Sequence, residues 1–349
     1  MFIDVIKPEE AVKTSRIRMI VQTLVLIAAL AGIAAWYFLQ IVPADRAKLS
    51  AGKESLLPGI SRDNLARVEV SFREILTNSI TNHWTTVSEK SDGRWKVVFP
   101  IRDEGDPEAF HRIENDIPAL KSETNFSGLS RKQIDSYGFG DPSSHIRITL
   151  ADGKTVDILN GGLAATENYY YTLVNSNTNR IYLVYAYKFS ALERNANDIR
   201  DKGIFDIPAA DVVSLAFDTP SGRFRFECVA TNGSQSWKMI SPVRASADSI
   251  AVRTRIMETI ATSASFFADF KRDPAMLARL GLNRPEWSVT LVSADGRTNA
   301  LFVSAQTLEG YRYAYSPGKP GVLMIPDAAL TNRYRLSADE FLPKSAAGQ

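Results

Sequence analysis

The sequence predicts an α+β fold: an N-terminal transmembrane helix, then two tandem homologous units of mostly antiparallel sheet with packed helices. Three observations carry this. Met19 to Val42 is a 24-residue run without a charge. A set of motifs recurs at a spacing of 142 to 143 residues. Within each copy, short β-rich runs are punctuated by Asp-Gly and Pro-containing steps.

The uncharged run comes first. About twenty apolar residues at 1.5 Å rise cross a hydrocarbon core of ~30 Å, and a helix satisfies its own backbone polar groups there. The run is too long for the apolar core of a cleaved signal peptide. It closes on Trp36 and Tyr37, which suit the membrane interface. Residues 1–18 then form a cytoplasmic tail, 19–42 the span and 43–60 a linker with Pro43, Gly52, Pro58 and Gly59. The short basic flank (Lys7, Lys13, Arg16, Arg18) favours a cytoplasmic N-terminus with the bulk of the chain outside the membrane. Gly32, Ala28 and Ala29 are small residues of the kind that let such helices pack against partner helices.

Two units are expected beyond the linker, at 61–205 and 206–345, because some 300 residues exceed what one core serves (about 250–300). Trp95-Lys96-Val97-Val98-Phe99-Pro100 is answered by Trp237-Lys238-Met239-Ile240-Ser241-Pro242, and Ala151-Asp152-Gly153-Lys154 by Ala294-Asp295-Gly296-Arg297. Tyr137-Gly138-Phe139-Gly140-Asp141-Pro142 matches Leu280-Gly281-Leu282-Asn283-Arg284-Pro285, and Tyr170 matches Tyr313. Each copy starts with β-rich sequence: 67–72 and 84–100, then 211–217, 222–231 and 237–242. A helix follows, Pro107 to Leu120 behind Asp106 as N-cap, or Ala247 to Ser263. A short helix closes on Gly138 or Gly281, with proline preventing its resumption. Two strands meet at Asp-Gly, expected as a tight primed turn with positive φ at both residues: 145–150 with 155–159, and 288–292 with 298–303. A last pair covers Tyr169–Val174 with Arg180–Tyr185, then Tyr311–Tyr315 with Val322–Ile325.

Charge excludes a nucleic-acid footprint. The net charge is +2, with basic and acidic residues interspersed. Cys228 is the single cysteine, so no intrachain disulfide forms, and its place in a strand reads as packing. His83, His111 and His145 share no metal-ligand spacing, and no cofactor motif is present. Gly153-Lys154-Thr155 imitates the tail of a phosphate loop but joins two strands. Asn160-Gly161-Gly162 reads as a turn. Asp103, Glu104, Asp106 and Glu108 cluster at a helix start, where carboxylates favour the macrodipole. No catalytic or metal residue is therefore expected. The unusual concentration is tyrosine: Tyr169, Tyr171 and Tyr182, with Tyr170, Tyr185 and Tyr187, which reads either as a core-and-sheet feature or as a partner or ligand surface.

With its Trp-x-x-x-x-Pro, Tyr-Gly-Phe-Gly-Asp-Pro and Ala-Asp-Gly-Lys motifs, the chain resembles a bacterial family known as domain of unknown function 4340. The resemblance spans about residues 61–330. It implies a membrane-anchored extracytoplasmic protein encoded beside ABC-transporter components like those of gliding motility, and it supplies no catalytic residues. The combined expectation is a non-enzymatic accessory subunit whose partners are the lipid bilayer and an ABC-transporter permease or other membrane subunit. The alternative is a module binding envelope glycan or peptidoglycan.

Overall fold

The computed structural model describes residues 8–36, 53–75, 81–165, 168–231 and 234–343. Helix α1 spans Pro8–Trp36. Its side chains from Val21 to Trp36 are exposed on all sides, among them Leu24, Leu26, Ile33 and the candidate packing residues Ala28, Ala29 and Gly32. Among the described residues no helix is long and apolar enough to cross a membrane. Residues 37–42, the end of the expected span, lie outside those described.

The body consists of two nine-stranded sheets, antiparallel at every pairing. Unit one contains β1 (Leu65–Ile75), β2 (Thr81–Ser91), β3 (Arg94–Phe99), β4 (Asp103–Glu104), α2 (Pro107–Asp116) and β5 (Thr124–Ser127). It continues through α3 (Arg131–Asp135), β6 (Ser144–Leu150), β7 (Thr155–Leu163), β8 (Tyr169–Val174), β9 (Arg180–Tyr185) and α4 (Ala196–Ile199). Unit two repeats the series as β10 (Val212–Thr219), β11 (Gly222–Thr231), β12 (Ser234–Ser241), β13 (Ala245–Ala247), α5 (Ser249–Ile260) and β14 (Phe266–Asp269). It ends with α6 (Pro274–Arg279), β15 (Trp287–Ser293), β16 (Thr298–Leu308), β17 (Tyr311–Tyr315), β18 (Val322–Pro326) and α7 (Asp327–Tyr334). The strand orders, β4-β3-β2-β1-β6-β7-β8-β9-β5 and β13-β12-β11-β10-β15-β16-β17-β18-β14, are the same order twice. Helices are few and short, so the units are sheet-dominated.

Alternation explains the cores. In β15, Trp287, Val289, Leu291 and Ser293 point inward while the residues between them are less buried. Ile146 and Ile148 of β6 do the same in unit one, under Phe110 and Ile113 of α2. Asp106 caps α2 by accepting from Glu108 N at 2.9 Å, and Asp248 caps α5 by accepting from Ile250 N at 2.8 Å. Both helices are shorter than their sequence pattern. Pro118 stops the first, and Ile117 and Leu120 leave the helix to stay fully buried. Leu56 and Leu57, which composition assigns to the linker, also pack in the first core. Cys228 lies partly buried against the second.

Two turns depart from expectation. At Asp152-Gly153 and Asp295-Gly296 only the glycines take positive φ. Leu150 N donates to Lys154 O at 2.8 Å and Gly153 N to Leu150 O at 2.9 Å, which makes a three-residue loop with glycine at the bulge position. The primed two-residue turn is instead Asp92-Gly93 (φ +52° and +75°), which splits the expected 84–100 run into β2 and β3. Asn160-Gly161-Gly162 is not a turn either; it is a bulge within β7. There Gly162 N donates to Tyr137 O at 2.7 Å, and a Cβ on Gly161 would stand 2.3 Å from that same oxygen.

Candidate functional site

The tyrosines divide between the two faces of the β8–β9 pair. Tyr169 is registered opposite Tyr185 and their rings stack at 4.2 Å, with Tyr187 at 5.4 Å from Tyr185. Tyr171 shares the face of Tyr169, and its ring stacks on Tyr137, from the turn after α3, at 4.0 Å. This face is partly exposed, and Tyr187 is more than half exposed. The hydrogen bond with Tyr185, reinforced by burial, pushes the Tyr169 hydroxyl up to about 12. Burial, then the neighbouring Tyr137, raises Tyr171.

Tyr182 does not join them. It and Tyr170 pack on the opposite face, against the first core, and the Arg180 guanidinium lies 5.4 Å from the Tyr182 ring. The repeat register also corrects one sequence match. Tyr311 is paired opposite Pro326 at the strand end as Tyr169 is opposite Tyr185, so Tyr170 corresponds to Arg312 rather than to Tyr313.

Beneath the tyrosine face lies a polar network that the sequence did not reveal. Ser144 Oγ donates to Glu193 Oε1 at 2.6 Å and accepts from Asn160 Nδ2 at 2.9 Å, and Thr172 Oγ1 donates to Asn160 Oδ1 at 2.8 Å. Ser144, Asn160 and Thr172 are buried. Burial raises the Glu193 carboxyl, opposed by hydrogen bonds from Ser144, Asn160 and Tyr170. These partners come from β6, β7 and β8, so the network ties three strands together. Being enclosed, its hydroxyls are not presented to solvent.

A cleft of about 730 Å³ lies where the units meet and is lined by Trp95, Glu114 and Glu104 of unit one, by Phe205, which packs in the second core, and by Asn299 and Lys319 of unit two. Arg200, fully buried, is bonded to Asp103 of this lining. Its Nε donates to Asp103 Oδ2 at 2.8 Å and its Nη2 to Pro320 O at 2.5 Å, while its guanidinium covers the Phe267 ring at 3.5 Å. Burial lowers the Arg200 pKa against the pull of Asp103. Lys319 Nζ reaches Asp103 Oδ1 at 3.4 Å and Asp201 Oδ2 at 3.0 Å. The acidic run at the start of α2 thus has two roles. Asp106 caps the helix, and Asp103 belongs to the joint.

Within the cleft Glu114 accepts from Lys90 Nζ at 2.6 Å and Trp95 Nε1 at 2.9 Å. Those bonds and Arg62 hold its carboxyl below the usual range, against the opposing effect of burial. His145 Nε2 lies 2.9 Å from Asp157 Oδ1, which Arg147 also contacts at 2.9 Å. Gly153-Lys154-Thr155 sits in the β6–β7 connection. Among the described residues no group of three His, Cys, Asp or Glu side chains is placed to hold a metal ion.

No curated protein and no solved structure matches the chain. One family does. Residues 95–236 match the family model described as "Domain of unknown function (DUF4340)". The matched stretch is one repeat period long, from the Trp95 motif to the residue before its counterpart Trp237, and it cuts the sheets within β3, after Arg94, and within β12. Through this segment the chain is similar to the DUF4340 family.

Proposed function

We propose that this chain is a non-enzymatic, single-pass accessory subunit of an ABC-type transporter or related envelope complex. In this reading Met19–Val42 anchors it in the bacterial inner membrane, and the two units stand outside. The observation that carries the reading is α1, whose apolar side chains from Val21 to Trp36 find no cover within the described chain: Leu24, Leu26 and Ile33 are each about three-fifths exposed. Lipid or partner helices are the surroundings in which such a surface is stable. The duplicated sheets behind it act as a rigid scaffold presenting two related surfaces.

A second reading, an envelope glycan or peptidoglycan module, is favoured by the partly exposed Tyr169, Tyr171 and Tyr185 rings, which offer apolar area with polar tips. One experiment separates the two. Purification from the native host in mild detergent, followed by mass spectrometry, is expected to recover the chain with ATPase and permease subunits. A solitary chain retained on cell-wall polymer, and released by Tyr169→Ala with Tyr171→Ala, would overturn the accessory role in favour of the second reading. A reporter fused after Gln349 is expected to be active outside the cytoplasm; cytoplasmic activity would reverse the topology.

A further inference from the structure

The joint between the units is a head-to-tail contact, and each unit has both ends. Backbone hydrogen bonds identify the equivalent parts. The lead-in to unit one is held by Ser122 N donating to Glu54 O at 3.0 Å, and that of unit two by Ala264 N donating to Lys202 O at 2.9 Å. At the opposite end Asp106 N donates to Ile199 O at 2.8 Å, as Asp248 N does to Phe341 O at 2.7 Å. The head of unit one (Asp103, Arg200, Asp201) sits on the tail of unit two, formed by its lead-in, Asn299 and the β17–β18 turn with Lys319. That leaves one tail and one head over.

The spare tail is a groove of about 450 Å³ on unit one, between the lead-in at Leu56–Ile60 and Val156, Val174, Asn177 and Tyr182. The spare head is the end of unit two, with Val243 45% and Ile250 78% exposed. The two surfaces differ from the joined pair in a matching way. Register places Ala245 where unit one has Asp103, and Leu342 where it has Arg200, so the spare head lacks the joint's ion pair. The spare tail correspondingly has the uncharged turn Asn175-Ser176-Asn177-Thr178-Asn179 in place of the turn bearing Lys319. A head without the carboxylate meets a tail without the lysine, and neither would bury an unpaired charge.

We propose that copies of this chain associate head to tail, the Val243–Leu342 end of unit two in one copy seating in the Val174–Tyr182 groove of unit one in the next. This repeats between chains the contact already made within one, and as a heterologous interface it closes into a ring or continues as a filament. It goes beyond the accessory role and does not depend on it.

The test uses the full chain in detergent, with mass followed by light scattering across a concentration series. The wild type is expected to grow beyond a monomer as concentration rises. Val243→Glu spoils only the head and Val174→Glu only the tail, so each alone is expected to stay monomeric. Mixed one to one they are expected to form a complex of two chains that grows no further, since one intact head and one intact tail remain. Asn177→Glu, on an exposed turn, replaces Val174→Glu should circular dichroism show that variant misfolded. A wild type monomeric at every concentration, or association that neither variant alters, would overturn the proposal.

Discussion

Units one and two have the same strand order and the same capped helix, yet they differ in what lies inside the sheet and at its ends. Where unit one places Ser144, Asn160 and Thr172 around Glu193, unit two places Trp287, Val303 and Ala314. Where unit one holds the β7 bulge against Tyr137 with glycine, unit two has Ser304 Oγ donating to Leu280 O at 2.6 Å. Backbone topology tolerates either solution because it is set by alternation and turn chemistry, which both copies keep. The charged and polar inventions sit where the copies have separate tasks. Unit one must meet unit two at Arg200, whereas the corresponding end of unit two has Leu342.

The joint offers the largest effect. Arg200→Ala would leave the buried Asp103 carboxylate with the Glu104 backbone bond and the longer contact to Lys319 but without its close counter-charge, and such a loss typically costs about 3–5 kcal/mol. Importing the residues of unit two, Arg200→Leu with Asp103→Ala, removes both charges and is expected to restore most of that stability. Urea unfolding of the three proteins checks this. A double variant as unstable as Arg200→Ala would show that the salt bridge is not what distinguishes the ends.

The β7 bulge comes next. Gly161→Ala drives a methyl toward Tyr137 O and is expected to destabilise by about 1–3 kcal/mol. Ser304→Ala in unit two removes the Ser304 Oγ bonds to Leu280 O and from Gln306 N and introduces no clash, so about 1 kcal/mol for each bond is expected. Equal shifts in the urea midpoint would mean that the two clasps are not alternative solutions to the same contact.

Much of the architecture was legible because duplication supplied an internal check: the Tyr169–Val174 and Arg180–Tyr185 strands, the Asp106 cap and the Gly138 helix end follow from local rules. Asp92-Gly93 carries a hairpin signal inside the β-rich 84–100 run and divides it into β2 and β3. The candidate site was less legible. Alternation along β8 separates Tyr169 and Tyr171 from Tyr170, but the side on which Tyr182 falls depends on cross-strand register, which no single strand encodes. Glu193 lies 49 positions beyond Ser144 and outside any strand, so nothing local announces their contact. The difference between the copies was the available signal. Asn160, a buried amide where unit two has Val303, marks the place where unit one departs from an apolar core.

The smallest effect concerns that departure and is read as a pH dependence. Glu193 binds its proton more tightly in the folded chain than a free glutamate carboxyl does, because burial disfavours the carboxylate. Its contribution to stability is therefore fully present below about pH 4.5 and declines as pH rises through the folded pKa, since the unfolded chain then binds fewer protons. Glu193→Gln keeps an acceptor for Ser144 Oγ and cannot ionise. It is expected to flatten that decline while leaving stability at low pH nearly unchanged. Urea midpoints for both proteins between pH 4 and 8 (about the range in which protein stability peaks) read the difference directly. Unit two has Trp287 and Val303 at this position, so it supplies no matching ionisation. A wild type and Glu193→Gln with parallel profiles would place the network among structural ties and assign any pH sensitivity elsewhere.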